Sequence, residues 1–533
     1  MNQLLLILVL FPVFAGTVLL LLHRKALRIS VLFVQAAMLI GAAYLFFSVK
    51  QDGAVTYAIG GWPAGMGIVL YADLFVAVFA LMICVLFFCC IVYQLSERRG
   101  ESRLFFLITV LEGLTLGIFL SRDLFNIFVL IEVATVVISL LIMYQKDRIA
   151  IYDGIMYLLV NAVAMSFFLL GIGMIYTTFG TLDLVLLRQA LAALPNGEPV
   201  VLAYSFMITA VCLKSALMPL FSWLPRAHAT PSAPVPVSAI LSGIYVKSGI
   251  FLFMRLQDAF APVFDLSDVF LVLGFLTAVI GFLLAIAQKD IKLILAYHTI
   301  SQIGMIMMGL CMKSTVAEIG AVYHIINHAL FKSALFLTAG IIAKAYGTRN
   351  VYEIRGVFRN MPLIATAMII AVLGITGAPL FNGSISKYWI AYSAKDSWAQ
   401  YGLMLVNLGT MISFVKYAQM LFHRQDIPQN TITLQKKAVT FFISLLCLLG
   451  GLFGKQVIEF MFEIEMPMDF NDYMQKAVHY VISLIAGVGL YRLVIKRIDL
   501  SALAKRAEIG FQGACVAIGV FLLALISITS ILS

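Results

Sequence analysis

The stretch Lys214–Gly243 reads KSALMPLFSWLPRAHATPSAPVPVSAILSG. It begins with a lysine inside an apolar run and then carries prolines at 219, 225, 231, 234 and 236. Proline removes a backbone donor and clashes with the preceding helical turn, so one helix cannot run unbroken through this stretch. At membrane depth, freed backbone groups are tolerated only where they are buried in protein or line a polar cavity. The stretch therefore predicts a broken helix beside a buried lysine.

The composition around this stretch predicts a membrane protein. The 533 residues are 62% hydrophobic and 12% charged, whereas a soluble protein has roughly 25% charged residues. Apolar runs recur along the whole chain at about 20 residues, the length a helix needs to cross the hydrocarbon layer. A single soluble domain, a disordered chain and a collagen-like chain are therefore excluded. The 7 cysteines show no metal-binding or cluster-binding spacing and are predicted to be buried thiols.

Hydropathy and helix-breaking residues predict an all-α polytopic fold with about sixteen transmembrane helices. A short amphipathic segment at 182–194 is predicted to lie in the membrane interface rather than to span. The predicted spans are 3–22, 29–48, 68–95, 104–121, 123–144, 151–177, 201–223, 233–255, 268–288, 291–312, 318–343, 362–394, 402–422, 437–454, 474–495 and 510–532.

Loop charges predict the orientation of the chain. Alternate loops beginning with 23–28 carry a net charge of +15, and the opposite set carries −6. Lysine and arginine accumulate in cytoplasmic loops. The first set is therefore predicted to be cytoplasmic, and both termini are predicted to lie outside. The net charge of +10 is then mostly a topological signal, and no nucleic-acid partner is expected.

Ionisable residues also occur within the predicted spans or at their ends. Each such charge costs roughly 2.5–3.5 kcal/mol at the membrane centre. A single one is often a structural tether between helices, but a dozen on successive helices favour a polar axis for protons or ions. The mid-span cations are lysines, which can switch between charged and neutral forms as arginine cannot. These residues are Asp73, Glu112, Glu132, Asp153, Lys214, Lys247, His298, His324, His328, Lys332, Lys387 and Lys416.

A second break is predicted at Gly374–Gly383 (GITGAPLFNG), just before Lys387. Prolines and glycines can merely kink packing helices, but paired interrupted helices in two halves of a chain indicate a transporter site. The fourth to eighth and the ninth to thirteenth predicted spans form two sets of five helices. Because five is an odd number, the second set is predicted to be inverted relative to the first. The predicted divisions are 1–103 (helices 1–3), 104–256 (first repeat), 257–424 (second repeat) and 425–533 (helices 14–16).

Several segments closely resemble the antiporter-like subunit family. This family includes Mrp-type sodium/proton antiporter subunits and the proton-pumping subunits of respiratory complex I and membrane-bound hydrogenases. The resemblance rests on Lys214–Gly249, on Asp123–Glu132 (DLFNIFVLIE), on Asp290–Gly304 (DIKLILAYHTISQIG) and on His324–Gly340 (HIINHALFKSALFLTAG).

The resemblance implies a role for each matching residue. Glu132 and Lys214 resemble the ion pair that modulates the proton affinity of the pump lysine, and Lys247 is similar to the bridging residue of helix 8. Three residues of the eleventh predicted span look like the family's central relay. Lys387, in the twelfth predicted span, looks like the family's terminal lysine on a broken helix. The relay residues are His324, His328 and Lys332.

The resulting functional hypothesis is a proton-translocating, antiporter-like subunit of a larger complex in the inner (plasma) membrane of a prokaryote, with or without exchange for Na⁺. One alternative is the pump module of a redox-driven complex, either hydrogenase-linked or NADH/quinone-linked. Another is a membrane protein that supports a soluble partner in inorganic-carbon uptake, although the lysines of the proton path argue against a passive scaffold. No nucleotide, metal or cofactor motif occurs, so any redox catalysis is expected in partner subunits.

Overall fold

The computed structural model describes residues 2–97, 101–231, 233–426, 432–498, 500, 502 and 509–532. Thirteen described helices are long and apolar enough to cross a membrane. This finding confirms the predicted all-α, polytopic fold class. The described residues also contain one antiparallel hairpin, β1 (Val55–Ala58) and β2 (Val69–Ala72), which was not predicted from the sequence.

Twenty-two helices, numbered in chain order, are described. The first eleven are α1 (Asn2–Leu19), α2 (Arg24–Asp52), α3 (Leu74–Gln94), α4 (Glu101–Leu120), α5 (Leu124–Ile142), α6 (Arg148–Phe179), α7 (Leu184–Ala192), α8 (Val201–Lys214), α9 (Trp223–Ala229), α10 (Val235–Ile240) and α11 (Val246–Phe260). The others are α12 (Ser267–Ala287), α13 (Ile291–Cys311), α14 (Thr315–Tyr346), α15 (Val357–Asn360), α16 (Pro362–Thr376), α17 (Asn382–Ser393), α18 (Trp398–Ala418), α19 (Leu434–Leu452), α20 (Gly454–Phe462), α21 (Phe470–Leu493) and α22 (Phe511–Leu532).

The chain divides into two compact units. Unit 1 comprises Met1–Pro234, Ile244–Asp265 and Gly510–Ser533, and unit 2 comprises Val235–Gly243 and Leu266–Ile509. In unit 1, α22 packs against α6 and α8, where the hydroxyls of Ser205 and Thr529 are 3.1 Å apart. The last helix of the chain is thus part of the first unit.

Aspartates begin many of the helices. The side chains of Asp73, Asp123, Asp147 and Asp183 each accept a hydrogen bond from a backbone N–H in the first turn of the helix that follows. Such caps satisfy donors that the helix itself leaves unpaired. Asp73, one of the ionisable residues predicted within spans or at their ends, is thus at an end, as the N-cap of α3. For the same reason α3 begins later than the predicted span 68–95.

The predicted first break is confirmed. Helix α8 ends at Lys214, and the indole N–H of Trp223 donates a 2.8 Å hydrogen bond to the carbonyl oxygen of Leu213. This bond satisfies one of the acceptors that the interrupted helix leaves without an intrahelical partner. The predicted span 201–223 is consequently a 14-residue helix, and it falls short of spanning length.

The predicted second break is confirmed as well. Helix α16 ends at Thr376, Gly377 has a φ of +80°, and α17 starts at Asn382. This left-handed backbone conformation favours glycine. The predicted span 362–394 is therefore two short helices. The predicted span 402–422 corresponds to α18 (Trp398–Ala418).

Several local features of the first unit recur in the second at similar spacing. Helices α6 and α14 both have 32 residues. The backbone bridge that joins Asp123 to Asp183 recurs between Asp290 and Asn350, which lie 167 positions later in each case. An arginine–aspartate ion pair accompanies both bridges. The pairs are Arg122–Asp183 and Arg349–Asp290, each with a nitrogen–oxygen distance of 2.7 Å.

Candidate ion-translocation site

In unit 1, helices α5 and α8 bring Glu132, Thr135 and Lys214 together. Lys214 is 3% exposed, and its ammonium group donates a 2.8 Å hydrogen bond to the hydroxyl of Thr135. Glu132 lies one turn before Thr135, interacts electrostatically with Lys214, and has no hydrogen-bond partner on Oε1. The hydroxyl of Thr135 in turn donates a 2.8 Å hydrogen bond to the carbonyl oxygen of Ile131. The hydrogen-bond partner of Lys214 is thus a threonine that the sequence does not single out.

Helix α11 approaches this group closely because of Gly249. A Cβ atom at Gly249 would lie 2.7 Å from the carbonyl carbon of Lys214 and 2.7 Å from the amide nitrogen of Ser215. The glycine therefore lets α11 lie against the end of α8. The same helix carries Lys247, which is 1% exposed. A π-helical segment, Leu241–Tyr245, immediately precedes α11, and such bulges are frequent at functional sites.

In unit 2, the predicted relay residues lie along one face of α14. His324, His328 and Lys332 are four residues apart and fully buried, so they follow one another along the helix. The ammonium group of Lys332 donates a 2.6 Å hydrogen bond to the carbonyl oxygen of Leu295. At the other end of the row, His324 Nε2 lies 3.1 Å from Oε1 of Gln302.

This pairing fixes the register between α14 and α13. Lys332 contacts Leu295 and His324 contacts Gln302. In two antiparallel helices this register places His328 at the level of His298. His298 is fully buried, and its ring nitrogens have no hydrogen-bond partner. It interacts electrostatically with lysines from three helices, namely Lys332, Lys387 and Lys416.

A further hydrogen bond joins the relay to the second broken helix. Nδ1 of His324 lies 2.8 Å from the hydroxyl of Ser386 on α17. Ser386 immediately precedes Lys387 in the chain. The structure therefore brings the predicted relay residues of α14 and the predicted terminal lysine, Lys387, to neighbouring positions.

The break in the helix supplies a partner for Lys387. Its ammonium group donates hydrogen bonds to the carbonyl oxygen of Ile375 at 2.8 Å and to Oδ1 of Asn407 at 3.0 Å. Ile375 lies in the last turn of α16, where carbonyl oxygens have no intrahelical donor. A carbonyl oxygen accepts a hydrogen bond from an ammonium and from a neutral amine alike. The site can therefore hold either protonation state of the lysine.

Lys416 has the same kind of environment and was left out of the predicted site. Its ammonium group donates to the carbonyl oxygens of Ala285, Ile286 and Gln288 at 3.0, 2.7 and 2.6 Å, at the end of α12. The C-terminus of a helix carries partial negative charge and favours a cation. Lys416 and His298 were recognisable as ionisable residues in apolar runs, but only the folded helices show that they face the relay.

A cavity of about 240 Å³ reaches Lys387 from the surface of unit 2. Its lining includes Thr376, Gly377 and Lys387, and Lys387 is 8% exposed. The lining also includes Lys395 and Gln400, which lie in and next to the α17–α18 connection, and the start of α21. The cavity thus gives access to Lys387.

Other buried ionisable residues have structural partners. Glu112 is fully buried and accepts a hydrogen bond from Nε2 of Gln35, and Asp153 accepts a 2.9 Å hydrogen bond from Thr230. Within the described ranges, no group of three or more histidine, cysteine, aspartate or glutamate side chains could hold a metal ion.

The family of the chain is decided by comparison with known sequences. Residues 121–423 match the model of the family described as "NADH:quinone oxidoreductase/Mrp antiporter, TM". The chain belongs to this family. It is 32% identical over 406 residues to a Na⁺/H⁺ antiporter subunit of Alkalihalophilus pseudofirmus, an alignment that covers 74% of this chain and 81% of that protein. It is 29% identical over 433 residues to an NADH-quinone oxidoreductase subunit of Desulforudis audaxviator, covering 78% and 85%.

Two solved structures share the fold. A chain of the Mrp complex from a Dietzia species superposes with a TM-score of 0.78 at 24% identity, covering 94% of this chain and 99% of that one. A chain of the membrane-bound sulfane sulfur reductase, an archaeal respiratory membrane complex, also gives a TM-score of 0.78 at 24% identity and covers 91% and 100%. At this identity the likeness concerns the fold alone.

Proposed function

We propose that this chain is a proton-translocating, antiporter-like subunit of a multi-subunit complex in the plasma membrane of a prokaryote. The observation that carries the proposal is the row of buried polar groups from Lys332 through His324 and Ser386 to Lys387. Histidine and lysine can each take up and release a proton. The row ends at a cavity that opens at the surface, so a proton that reaches Lys387 has a route to leave.

Unit 1 contributes a second group of the same kind. Glu132, Thr135 and Lys214 occupy the first broken helix and its neighbour, and Lys247 lies on the next helix. Thr135 and Gln302 are 167 positions apart, the same separation as between the two recurring bridges. This correspondence supports two related half-paths. We propose that the repeats are inverted and that each half-path opens to one side of the membrane, with both termini outside.

The relatives support a proposal about partner subunits and the driving force. Their names include both antiporter and oxidoreductase subunits, and a proton path serves either assembly. We therefore propose that other membrane subunits, and the redox or ion gradient that they couple, supply the driving force. The same proposal covers proton translocation with or without exchange for Na⁺.

The test is the variant Lys387→Ala in the assembled complex. Proton movement in inverted membrane vesicles, followed with a pH-sensitive dye, should be lost, while the subunit stoichiometry remains that of the wild type. Lys455→Ala is the matched control, because Lys455 is 40% exposed and pairs with Glu459 outside the cavity. Full proton movement in assembled Lys387→Ala complexes would refute the assignment.

A further inference from the structure

One wall of the cavity that leads to Lys387 is formed by residues outside the proposed proton path. This wall is the N-terminal half of α21. The outward side chains of this half are exposed, for example Phe470 at 70% and Val478 at 54%. Helix α21 packs against α18 through Gly487, whose Cβ would lie 3.1 Å from Cβ of Met411. Apolar packing therefore anchors its C-terminal half, while other contacts place the half that faces the cavity.

Those other contacts include ring packing between Tyr473 and Tyr388 and hydrogen bonds to residues next to the second helix break. The hydroxyl of Tyr480 lies 3.1 Å from that of Thr376, the last residue of α16. The hydroxyl of Tyr473 lies 2.9 Å from that of Ser384 and accepts a 3.2 Å hydrogen bond from the amide of Leu380. The two tyrosines thus connect α21 to both half-helices and place two hydroxyl pairs next to the cavity.

Lys476 lies between these two tyrosines and is held in a defined position. Its ammonium group donates a 2.9 Å hydrogen bond to the carbonyl oxygen of Tyr388 and lies 4.3 Å from the centroid of the Tyr388 ring. A cation over an aromatic face is attracted by the ring quadrupole. The charge of Lys476 is therefore fixed at the cavity wall rather than spread over a mobile side chain.

The titratable groups around the cavity are predominantly cationic. Besides the tyrosines, the lining contains the three lysines Lys387, Lys395 and Lys476, with His479 and a single carboxylate, Asp472. The neighbouring Asp469 does not line the cavity, and its carboxylate accepts hydrogen bonds from the amides of Asn471 and Asp472 as the cap of α21. A permanent cation that enters would therefore meet an excess of like charge.

We propose that Lys476, together with Lys395, makes this cavity a selectivity filter that passes protons and excludes metal cations such as Na⁺ and K⁺. Charged side chains at a constriction select ions by sign. A metal cation would add its charge to those of the lysines, whereas a proton can be released by a lysine that already carries it, so it adds no further positive charge to the cavity. This inference rests on the proposed function, since it specifies which ion uses the path at Lys387.

Charge-selective labelling tests the filter without transport. A cysteine is introduced at Ala391, which lines the cavity, in a Cys515→Ser background, because the other described cysteines are buried. Its reaction rates with a sulfonate-bearing and a trimethylammonium-bearing methanethiosulfonate are compared in vesicles that contain the full complex. The ratio is normalised to the same ratio at Ala193→Cys, an exposed loop position.

The filter predicts that the anionic reagent reacts faster at position 391. Lys476→Glu should shift the ratio toward the cationic reagent by roughly tenfold or more, as expected for charges about 8 Å apart across water. Lys476→Gln should give about half of that shift on a logarithmic scale, and Lys455→Glu should give none. Raising the salt concentration to about 1 M should move the wild-type ratio toward one, since the Debye length then falls to about 3 Å.

Equal rates for the two reagents in the wild type, or a ratio unchanged by Lys476→Glu and by salt, would overturn the filter. An unreactive cysteine at position 391 would also overturn it, because the cavity would then be closed.

A transport experiment distinguishes failure of the filter from failure of the proposed function. In the wild type, external Na⁺ or K⁺ should not compete with proton release, while in Lys476→Glu it should. Absence of any proton movement in the wild type would instead refute the proposed function.

Discussion

The substitution Gly383→Ala tests whether the contact between the two half-helices positions Lys387. A Cβ at Gly383 would lie 1.9 Å from the carbonyl oxygen of Gly374, whereas ordinary contact begins at 3.4 Å. The neighbouring atom is backbone, so it cannot rotate away as a side chain would. Helix α17 must therefore move relative to α16 by about 1.5 Å, the difference between the two distances.

A displacement of that size would separate Lys387 from the carbonyl of Ile375. A shift of about 1 Å in a positioned group can lower a rate by about 10²-fold, so we expect at least that loss in proton movement by Gly383→Ala complexes. The assay is dye-monitored proton movement in vesicles, normalised to assembled complex. Gly173→Ala is the matched control, because it is also a helical glycine but has nothing within 4 Å of its Cβ. Near-normal proton movement in Gly383→Ala would refute the claim that this contact sets the geometry of Lys387.

Three other outcomes are expected. Thr135→Val keeps the side-chain shape but removes the acceptor for the ammonium of Lys214. A buried donor left unsatisfied costs about 1–3 kcal/mol, so proton movement in assembled complexes should fall about tenfold, and an unchanged rate would contradict a role for this hydrogen bond. Arg122→Ala should lower the free energy of unfolding by about 3–5 kcal/mol because it leaves the buried carboxylate of Asp183 without its ion pair. Arg188→Ala, in a pair whose side chains are 52% and 62% exposed, should lower it by at most about 1 kcal/mol. Chemical denaturation in detergent measures both losses, and equal losses would contradict the argument from burial. Cysteines at Thr348 and Asn471 should react from the cytoplasmic and the exterior side, respectively, and the reverse accessibility would overturn the orientation.

The two helix breaks were predictable from sequence because their causes are local. Proline at 219 and the Gly377–Pro379 segment disrupt backbone hydrogen bonding whatever the surroundings. The same holds for the buried lysines, since an ionisable residue within an apolar run needs a polar partner. The fold class and the candidate lysines therefore follow from the sequence alone.

The partners of those lysines did not follow from sequence because they depend on packing between distant helices. Thr135, Gln302 and Asn407 are ordinary polar residues in sequence, and their importance appears only once they face an ammonium or an imidazole. The acceptors for Lys416 are backbone carbonyls at the end of α12, and no side-chain pattern can indicate them. Asp73 shows the opposite case, in which a charge near a span end is a helix cap.

The position of α21 at the cavity could not be predicted from the sequence either. Its hydropathy indicates a further span, but the hydroxyls of Tyr473 and Tyr480 contact residues 89 to 104 positions earlier in the chain. Contacts of such separation are set by the tertiary fold. The sequence thus indicated that the helix exists and contained no sign that it lines the route to Lys387.

The most direct test of the central claim is proton movement by the Lys214→Arg complex. Arginine keeps the positive charge and can still donate to Thr135, but its guanidinium does not release a proton at workable pH. If Lys214 carries protons, the assembled variant should be as inactive as Lys214→Ala, with wild-type subunit stoichiometry. If Lys214 is only a structural tether, Lys214→Arg should retain much of the activity that Lys214→Ala loses, and that result would contradict the account.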